Sequence, residues 1–405
     1  MYNDDFGTKN VLSRRTFTRT TAGLLTAASL APLTLIDAGK AFAAAQTAPD
    51  LQAARYWSRP DRVLGHDLSI LQQLEDAGKT FSYRGIKLPA DRILASQGAN
   101  YVRLRLWVNP PMPYNDLPHV LSMARRLKNE GLKFHLDLHY SDFWADPGKQ
   151  NIPQSWVGQD LATLTTTVYG YTKGILTQLE RQGTRPAIVQ IGNEVTNGML
   201  WPLGEIYLNG TQNWSGFTTL LKAGIQGARD AQRFGEKSRI MIHIDRGGDN
   251  GGTRYFFDSI QPYNIDFDLI GLSYYPFWHG PLTALQTNLN DISPRYNKDI
   301  VIAETAYPWT FADGDSQPNS VPAGTALQTD YPATPAGQLG FMHNLLSLVQ
   351  QVPNDRGLGV VYWEPDWIPG AGWEPGAGDG WDNMTLFDWS GKALPSIECY
   401  SSQLP

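Results

Sequence analysis

Eight short apolar segments, each running into a polar residue and each separated from the next by a longer stretch, constrain this chain more than any other feature. They cover residues 63–67, 101–107, 133–139, 187–194, 239–245, 267–275, 299–304 and 357–364. Near-continuous β-branched runs of this length mark parallel strands covered on both faces. Between them, residues 116–130, 161–182, 214–234 and 336–352 have helical periodicity. Strand and helix alternating in this way predict an α/β fold, a single (β/α)8 TIM barrel with long loops at its C-terminal face. A doubly wound open sheet is the alternative, but no glycine-rich phosphate loop follows the first strand.

In such a barrel the chemistry gathers at the C-terminal ends of the strands. Asp67, His139, Asn193, Glu194, Asp245, Tyr275, Glu304 and Glu364 all fall at or just beyond those ends. The loops that follow, 140–156, 196–214, 246–255, 274–280, 307–331 and 365–389, are long and rich in Trp, Asp and Gly. Loops of that kind on one face build a binding site.

Two of the strands carry the most specific signal. Val189-Gln190-Ile191-Gly192-Asn193-Glu194 and Ile300-Val301-Ile302-Ala303-Glu304-Thr305 are apolar runs that reach a glutamate, 110 residues apart, on the fourth and seventh strands. Those strands face each other across the barrel, so the pair suits glycoside hydrolysis, with one carboxyl protonating the leaving oxygen and the other attacking. Glu194 reads as proton donor and then general base, since burial at the end of an apolar run raises a carboxyl pKa. Glu304 reads as the nucleophile. Carboxyls about 5 Å apart predict retention, and about 6.5–9.5 Å predict inversion. The plain alternatives are a salt-bridged structural glutamate and a cap at a strand exit.

Strand alternation puts Arg103 and Arg105 on one face, and a cation beside the nucleophile keeps it ionised; Arg103 is the better placed. His139 and His243 lie on separate strands without metal-ligand spacing, so they read as sugar-hydroxyl contacts or buried structural histidines. Trp144, Trp278, Trp363, Trp373 and Trp381 are candidates for stacking on sugar rings, with core packing as the alternative. One of Tyr274 and Tyr275 is expected to hydrogen-bond the nucleophile.

Composition excludes other classes. With 33 basic and 39 acidic residues the chain carries −6, and no basic run follows the N-terminal segment, which argues against nucleic acid as a partner. A single cysteine, Cys399, forbids an intramolecular disulfide. There is no G-x-S-x-G elbow and no Walker-type loop.

At the N-terminus, Ser13-Arg14-Arg15-Thr16-Phe17-Thr18-Arg19, a modestly apolar stretch and Ala41-Phe42-Ala43 read as a twin-arginine-type export signal over residues 1–43. Pro32 and Asp37 interrupt the apolar stretch, so it does not suit a permanent anchor. The expected layout is this signal, a tether over 44–60, a catalytic domain over 61–399 and a tail over 400–405. The product would be an exported protein, periplasmic or extracellular, monomeric and off the membrane.

Several longer motifs resemble glycoside hydrolase family 53: Leu136-Asp137-Leu138-His139-Tyr140-Ser141-Asp142-Phe143-Trp144-Ala145-Asp146-Pro147-Gly148-Lys149-Gln150, Gln190-Ile191-Gly192-Asn193-Glu194-Val195-Thr196-Asn197-Gly198, Asp245-Arg246-Gly247-Gly248-Asp249-Asn250, Gly271-Leu272-Ser273-Tyr274-Tyr275-Pro276 and Ala303-Glu304-Thr305-Ala306-Tyr307-Pro308. The resemblance implies a retaining arabinogalactan endo-β-1,4-galactanase with Glu194 as acid/base and Glu304 as nucleophile. It implies β-1,4-galactan as the substrate; the residues expected around that substrate are Asp67, Arg103, His139, Trp144, Asn193, His243, Tyr274, Tyr275, Trp363 and Trp381. Other endo-glycanases of the same clan, acting on mannan or xylan, and an inactive carbohydrate-binding barrel are the competing readings. No cofactor is needed for the chemistry. Some bacterial members hold calcium in the loops after strands seven and eight; here Asp313, Asp315 and Asn319 are the corresponding oxygen donors, and Gln317 stands where those members have histidine.

Overall fold

The structure, a computed structural model, describes residues 58–232, 235–372 and 378–401. The expected signal, most of the tether, Trp373 and the end of the tail lie outside them. Eight strands close into one barrel: β1 (Val63–Asp67), β2 (Tyr101–Leu106), β3 (Lys133–Leu138), β4 (Ile188–Ile191), β5 (Arg239–Ile244), β6 (Leu269–Ser273), β7 (Asp299–Thr305) and β8 (Gly357–Tyr362). Each strand pairs in parallel with its neighbours in chain order, and β8 pairs back onto β1. The helices α1 (Ala90–Ser96), α2 (Leu117–Asn129), α3 (Leu161–Gln182), α4 (Trp214–Ala231), α5 (Asn250–Ile260), α6 (Leu282–Tyr296) and α7 (Pro335–Gln350) alternate with the strands. This is the TIM barrel expected from the sequence.

The helices begin where the chain offers a cap. Asp116, Asp160, Asn213, Asp249 and Thr334 each accept a hydrogen bond from the backbone N–H three residues on. This satisfies a donor that the helix itself leaves orphaned. The expected helix over 214–234 stops at Ala231, and residues 233–234 lie outside the described set.

Inside the barrel the strands alternate. Val63, Tyr101, Ile188, Met241, Leu269 and Val301 belong to one buried apolar cluster. Two residues further along their strands stand Arg103, Gln190 and His243, also buried. Period-two alternation keeps both sets on the same inner face, so apolar residues lie beneath and polar residues above. Gly271 makes room for this arrangement, since a Cβ there would come within 2.6 Å of Met241 Sδ.

Several expected strands end early, because the polar residues at their tips leave the ladder. Tyr140, Glu194 and Glu364 all take the left-handed conformation, with φ of 52°, 46° and 48°. Gly192, at φ +79°, opens the turn that carries Asn193 and Glu194 out of β4. On β7 the register slips between Ile302 and Thr305. A bulge of this kind puts consecutive residues on one side, and Ala303 joins the inner apolar cluster while Glu304 faces the cavity.

Candidate active site

At the C-terminal mouth of the barrel lies a cavity of about 520 Å³, lined by both Glu194 and Glu304. Glu304 is held from two directions. Its Oε1 is 2.9 Å from Arg103 Nη2, and its Oε2 accepts from the Tyr275 hydroxyl at 3.1 Å. Arg103 is itself buried and donates to Asp67 at 2.7 Å, Asp137 at 2.8 Å and the Asn193 side-chain oxygen at 2.9 Å. A guanidinium at this depth is stable only when paired on several edges. Burial alone would lower its pKa, but Asp137, Glu304 and Asp67 outweigh that and raise it, so it stays charged.

Glu194 sits in a different field. Its Oε1 accepts from Ser273 Oγ at 2.6 Å, and the charged groups acting on it, Glu304, Asp245 and Asp146, are all acids. Burial first, then Glu304 and Asp245, raise its pKa well above the ordinary carboxyl range. Burial also pushes Glu304 up, to about 7, with Arg103 and Tyr275 pulling the other way. The two acids share one cavity and repel each other, so they do not ionise together easily. The Arg103 cation lies against Glu304, which marks it as the member that ionises first.

The structure separates the residues the sequence grouped. Arg103, His139, Trp144, Asn193, Tyr275, Trp363 and Trp381 line the cavity with the two glutamates. Asp67, His243 and Tyr274 do not. Asp67 is fully buried against Arg103, and Tyr274 turns away to donate to the Gly280 carbonyl at 2.8 Å. His243 lies in the polar layer below, between Gln190, Asn193 and Ser273. Between the two tyrosines, therefore, Tyr275 is the one that meets Glu304. Both nitrogens of His139 are committed within the protein: Nδ1 accepts from Trp107 Nε1 and the Ala145 N–H, each at 3.2 Å, and Nε2 meets Asp137 Oδ2 at 2.9 Å. It presents its ring to the cavity, not a free nitrogen, which corrects the expected hydroxyl contact.

The aromatic wall is continuous. Trp363 lies edge-on to Trp381 at 4.6 Å between centroids and tilted against Trp144 at 5.9 Å, and Arg105 stacks over Trp144 at 4.5 Å. Trp278, 54% exposed, extends the wall from Trp381 toward solvent. Apolar faces alternating with directed polar groups suit a sugar chain.

Sequence reasoning missed Ser273, Asp137 and Gln190. Asp137 stands two residues before His139, Ser273 two before Tyr275, and Gln190 pairs in register with Asp137, so alternation and register together could have found them.

Away from the cleft, Asp313 and Asp315 meet Asp382, with ligand oxygens all within 4.8 Å. Asp382 Oδ1 and Asn319 Oδ1 are buried without a hydrogen-bond partner, and burial together with Asp315 and Asp313 pushes the Asp382 pKa up to about 7. An all-oxygen set with orphaned acceptors fits a hard divalent cation such as calcium. Gln317 leaves this set intact, because Asp382 from the loop after β8 takes part in it.

A parallel barrel with two carboxyls in one tryptophan-lined cleft at its C-terminal mouth defines a glycoside hydrolase. The family model described as glycosyl hydrolase family 53 matches residues 63–400. An arabinogalactan endo-beta-1,4-galactanase of Cellvibrio japonicus is 37% identical over 343 residues, 82% of this chain and 89% of that one. Among solved structures, the Ignisphaera aggregans GH53 catalytic domain superposes with TM-score 0.78 at 34% identity, covering 85% of this chain and 96% of that one. A structure described as that of two fungal beta-1,4-galactanases gives 0.73, also at 34% identity, covering 83% and 98%. The chain belongs to glycosyl hydrolase family 53.

Proposed function

We propose that this protein is a retaining endo-β-1,4-galactanase in which Glu304 is the nucleophile and Glu194 the acid/base. The observation that carries the assignment of roles is the asymmetry of the pair. Arg103 and Tyr275 favour the ionised form of Glu304 and aim it, while the charged groups acting on Glu194 are acids and its hydrogen-bond partner is the Ser273 hydroxyl. The substrate follows from the named activity of the relatives.

In the first step a Glu304 oxygen attacks the anomeric carbon of a galactosyl unit. The bond from that carbon to the O4 of the next unit breaks, and the departing oxygen takes the Glu194 proton. In the second step Glu194, now a carboxylate, takes a proton from water; the water oxygen attacks the same carbon and releases Glu304. One water is consumed and both glutamates return to their starting states. Arg103 balances the nucleophile before attack, and Asn193, held by Arg103 and by the Ala145 carbonyl, is placed to bind a sugar hydroxyl. The open aromatic cleft supports binding within a chain, hence endo cleavage.

The test is reducing-end release from unbranched β-1,4-galactan, with products sized over time. Intermediate oligomers should appear early and be lost in Glu194→Gln and Glu304→Gln. Release only from mannan or xylan would keep the mechanism and reject the sugar. The same proposal includes export directed by Arg14 and Arg15 as a monomer; Arg14→Lys with Arg15→Lys should leave the protein in the cytoplasm, and unchanged export would reject that part.

A further inference from the structure

Beneath Glu194 runs a chain of buried polar groups that the double displacement as written does not use. Ser273 Oγ donates to Glu194 Oε1 at 2.6 Å and lies 2.8 Å from His243 Nε2. On the other side of the ring, His243 Nδ1 is 3.0 Å from Gln190 Nε2, which also donates to Asp137 Oδ1 at 2.6 Å. Ser273, His243, Gln190 and Asp137 are all fully buried, so no solvent competes for these bonds.

Donor counting orients the chain. A serine hydroxyl that spends its one proton on Glu194 has only lone pairs to offer His243, so His243 Nε2 carries the hydrogen toward it. The imidazole is neutral: burial, then the Arg103 cation, lower its pKa well below the ordinary value, while Asp137 opposes and His135 and His139 add to the lowering. Neutral imidazole protonated at Nε2 needs a donor at Nδ1, and Gln190 Nε2 provides one. The other hydrogen of that amide goes to Asp137 Oδ1, the shortest of its bonds, ahead of Asn193 Oδ1 at 3.0 Å and the Gly192 carbonyl at 3.1 Å. Asn193 Oδ1, also 3.0 Å from Nδ1, is already an acceptor for Arg103. Every bond then points the same way, from Gln190 through His243 and Ser273 to Glu194.

We propose that Ser273 and His243 are positioning residues for the acid/base, which keep the proton of Glu194 on Oε2, the oxygen left to serve the departing sugar. A carboxyl whose Oε1 is engaged as an acceptor carries its proton on the other oxygen, and after the proton leaves, the same donor steadies the carboxylate. The inference rests on Glu194 being the acid/base. The groups facing that carboxyl are Glu304 from β7, Asp245 from the loop after β5, Asp146 from the loop after β3, Ser273 from β6 and, just past β6, Tyr275, whose hydroxyl is given to Glu304. Ser273 alone among them supplies a proton to a hydrogen bond with it.

The experiment compares kcat/KM on galactan, whose leaving group needs a proton, with kcat/KM on a dinitrophenyl β-galactobioside, whose leaving group does not. Ser273→Ala should lose at least about tenfold on galactan, the scale of one hydrogen bond to an ionisable group, and distinctly less on the activated substrate. Its alkaline limb should move to higher pH, because the lost donor favoured the carboxylate, and Ser273→Thr should restore both. His243→Gln, which keeps an amide N–H, should fall between Ser273→Ala and the parent, and His243→Leu should match Ser273→Ala in leaving-group pattern. Equal losses on both substrates, or an unmoved alkaline limb in folded Ser273→Ala, would overturn the relay. Glu194→Gln run alongside tells two failures apart: if it is inactive on galactan, only the relay is wrong, and if it is active, the acid/base assignment fails as well.

Discussion

Arg103 is the residue on which the two carboxyls differ, and Tyr275 reinforces it. The Tyr275 phenol is raised well above its ordinary pKa by burial and by Glu304, so it remains a donor to the nucleophile at every working pH. Removing that donor in Tyr275→Phe takes away a force that lowers the Glu304 pKa. The acidic limb of kcat/KM should therefore move to higher pH, with a loss of roughly tenfold to hundredfold in kcat; an unmoved limb would refute the role. The glutamates, Arg103 and Asn193 were legible because each ends or lines a strand with a recognisable pattern. Asp67 and His243 share that pattern and yet stay out of the cavity. Strand alternation shows that a side chain points into the barrel, but its depth along the axis depends on strand stagger, which no single strand encodes.

The loops after β7 and β8 are separate in the chain and joined in space. The Gly314 N–H donates to Asp382 at 2.9 Å, and the Asp379 N–H donates to Asp315 at 2.7 Å. Asp313 and Asp315 on one loop and Asp382 on the other bring like charges together, which costs stability unless a cation balances them. Calcium at about a hundredfold over its dissociation constant should add roughly 2.7 kcal/mol to folding. A chelator should lower the thermal midpoint of the parent and leave that of Asp382→Ala unmoved; a parent indifferent to chelator would reject the site. Asp313, Asp315 and Asn319 were visible as a local oxygen-rich segment. Asp382 was not, since nothing in its neighbourhood links it to a loop some seventy residues earlier.

Across the whole molecule, buried acids set the response to pH. Glu304 is raised from 4.5 to about 7 and Glu364 to about 8, both first by burial, with Arg103 and Arg105 opposing. Between the unfolded and folded values the native chain holds protons that the unfolded chain has released, so these groups contribute most below about pH 4.5. That contribution is lost as the pH rises through 7 to 8. Asp137, held down to about 2 by Arg103 and His139 against its burial, acts oppositely, but only at more acid pH. The thermal midpoint should fall from pH 5 to pH 8, and Glu304→Gln should flatten that fall by about 2–4 °C for each kcal/mol removed; equal slopes would refute the account. The barrel, the order of its strands and the two glutamates could be read from the chain, because periodicity and β-branched runs act over a few residues. What required the closed fold was contact between distant strands: Tyr275 over Tyr274 at Glu304, His243 beneath Ser273, and Asp382 beside Asp313. Those pairings depend on bulges, stagger and loop packing, and these take shape only when all eight strands close together.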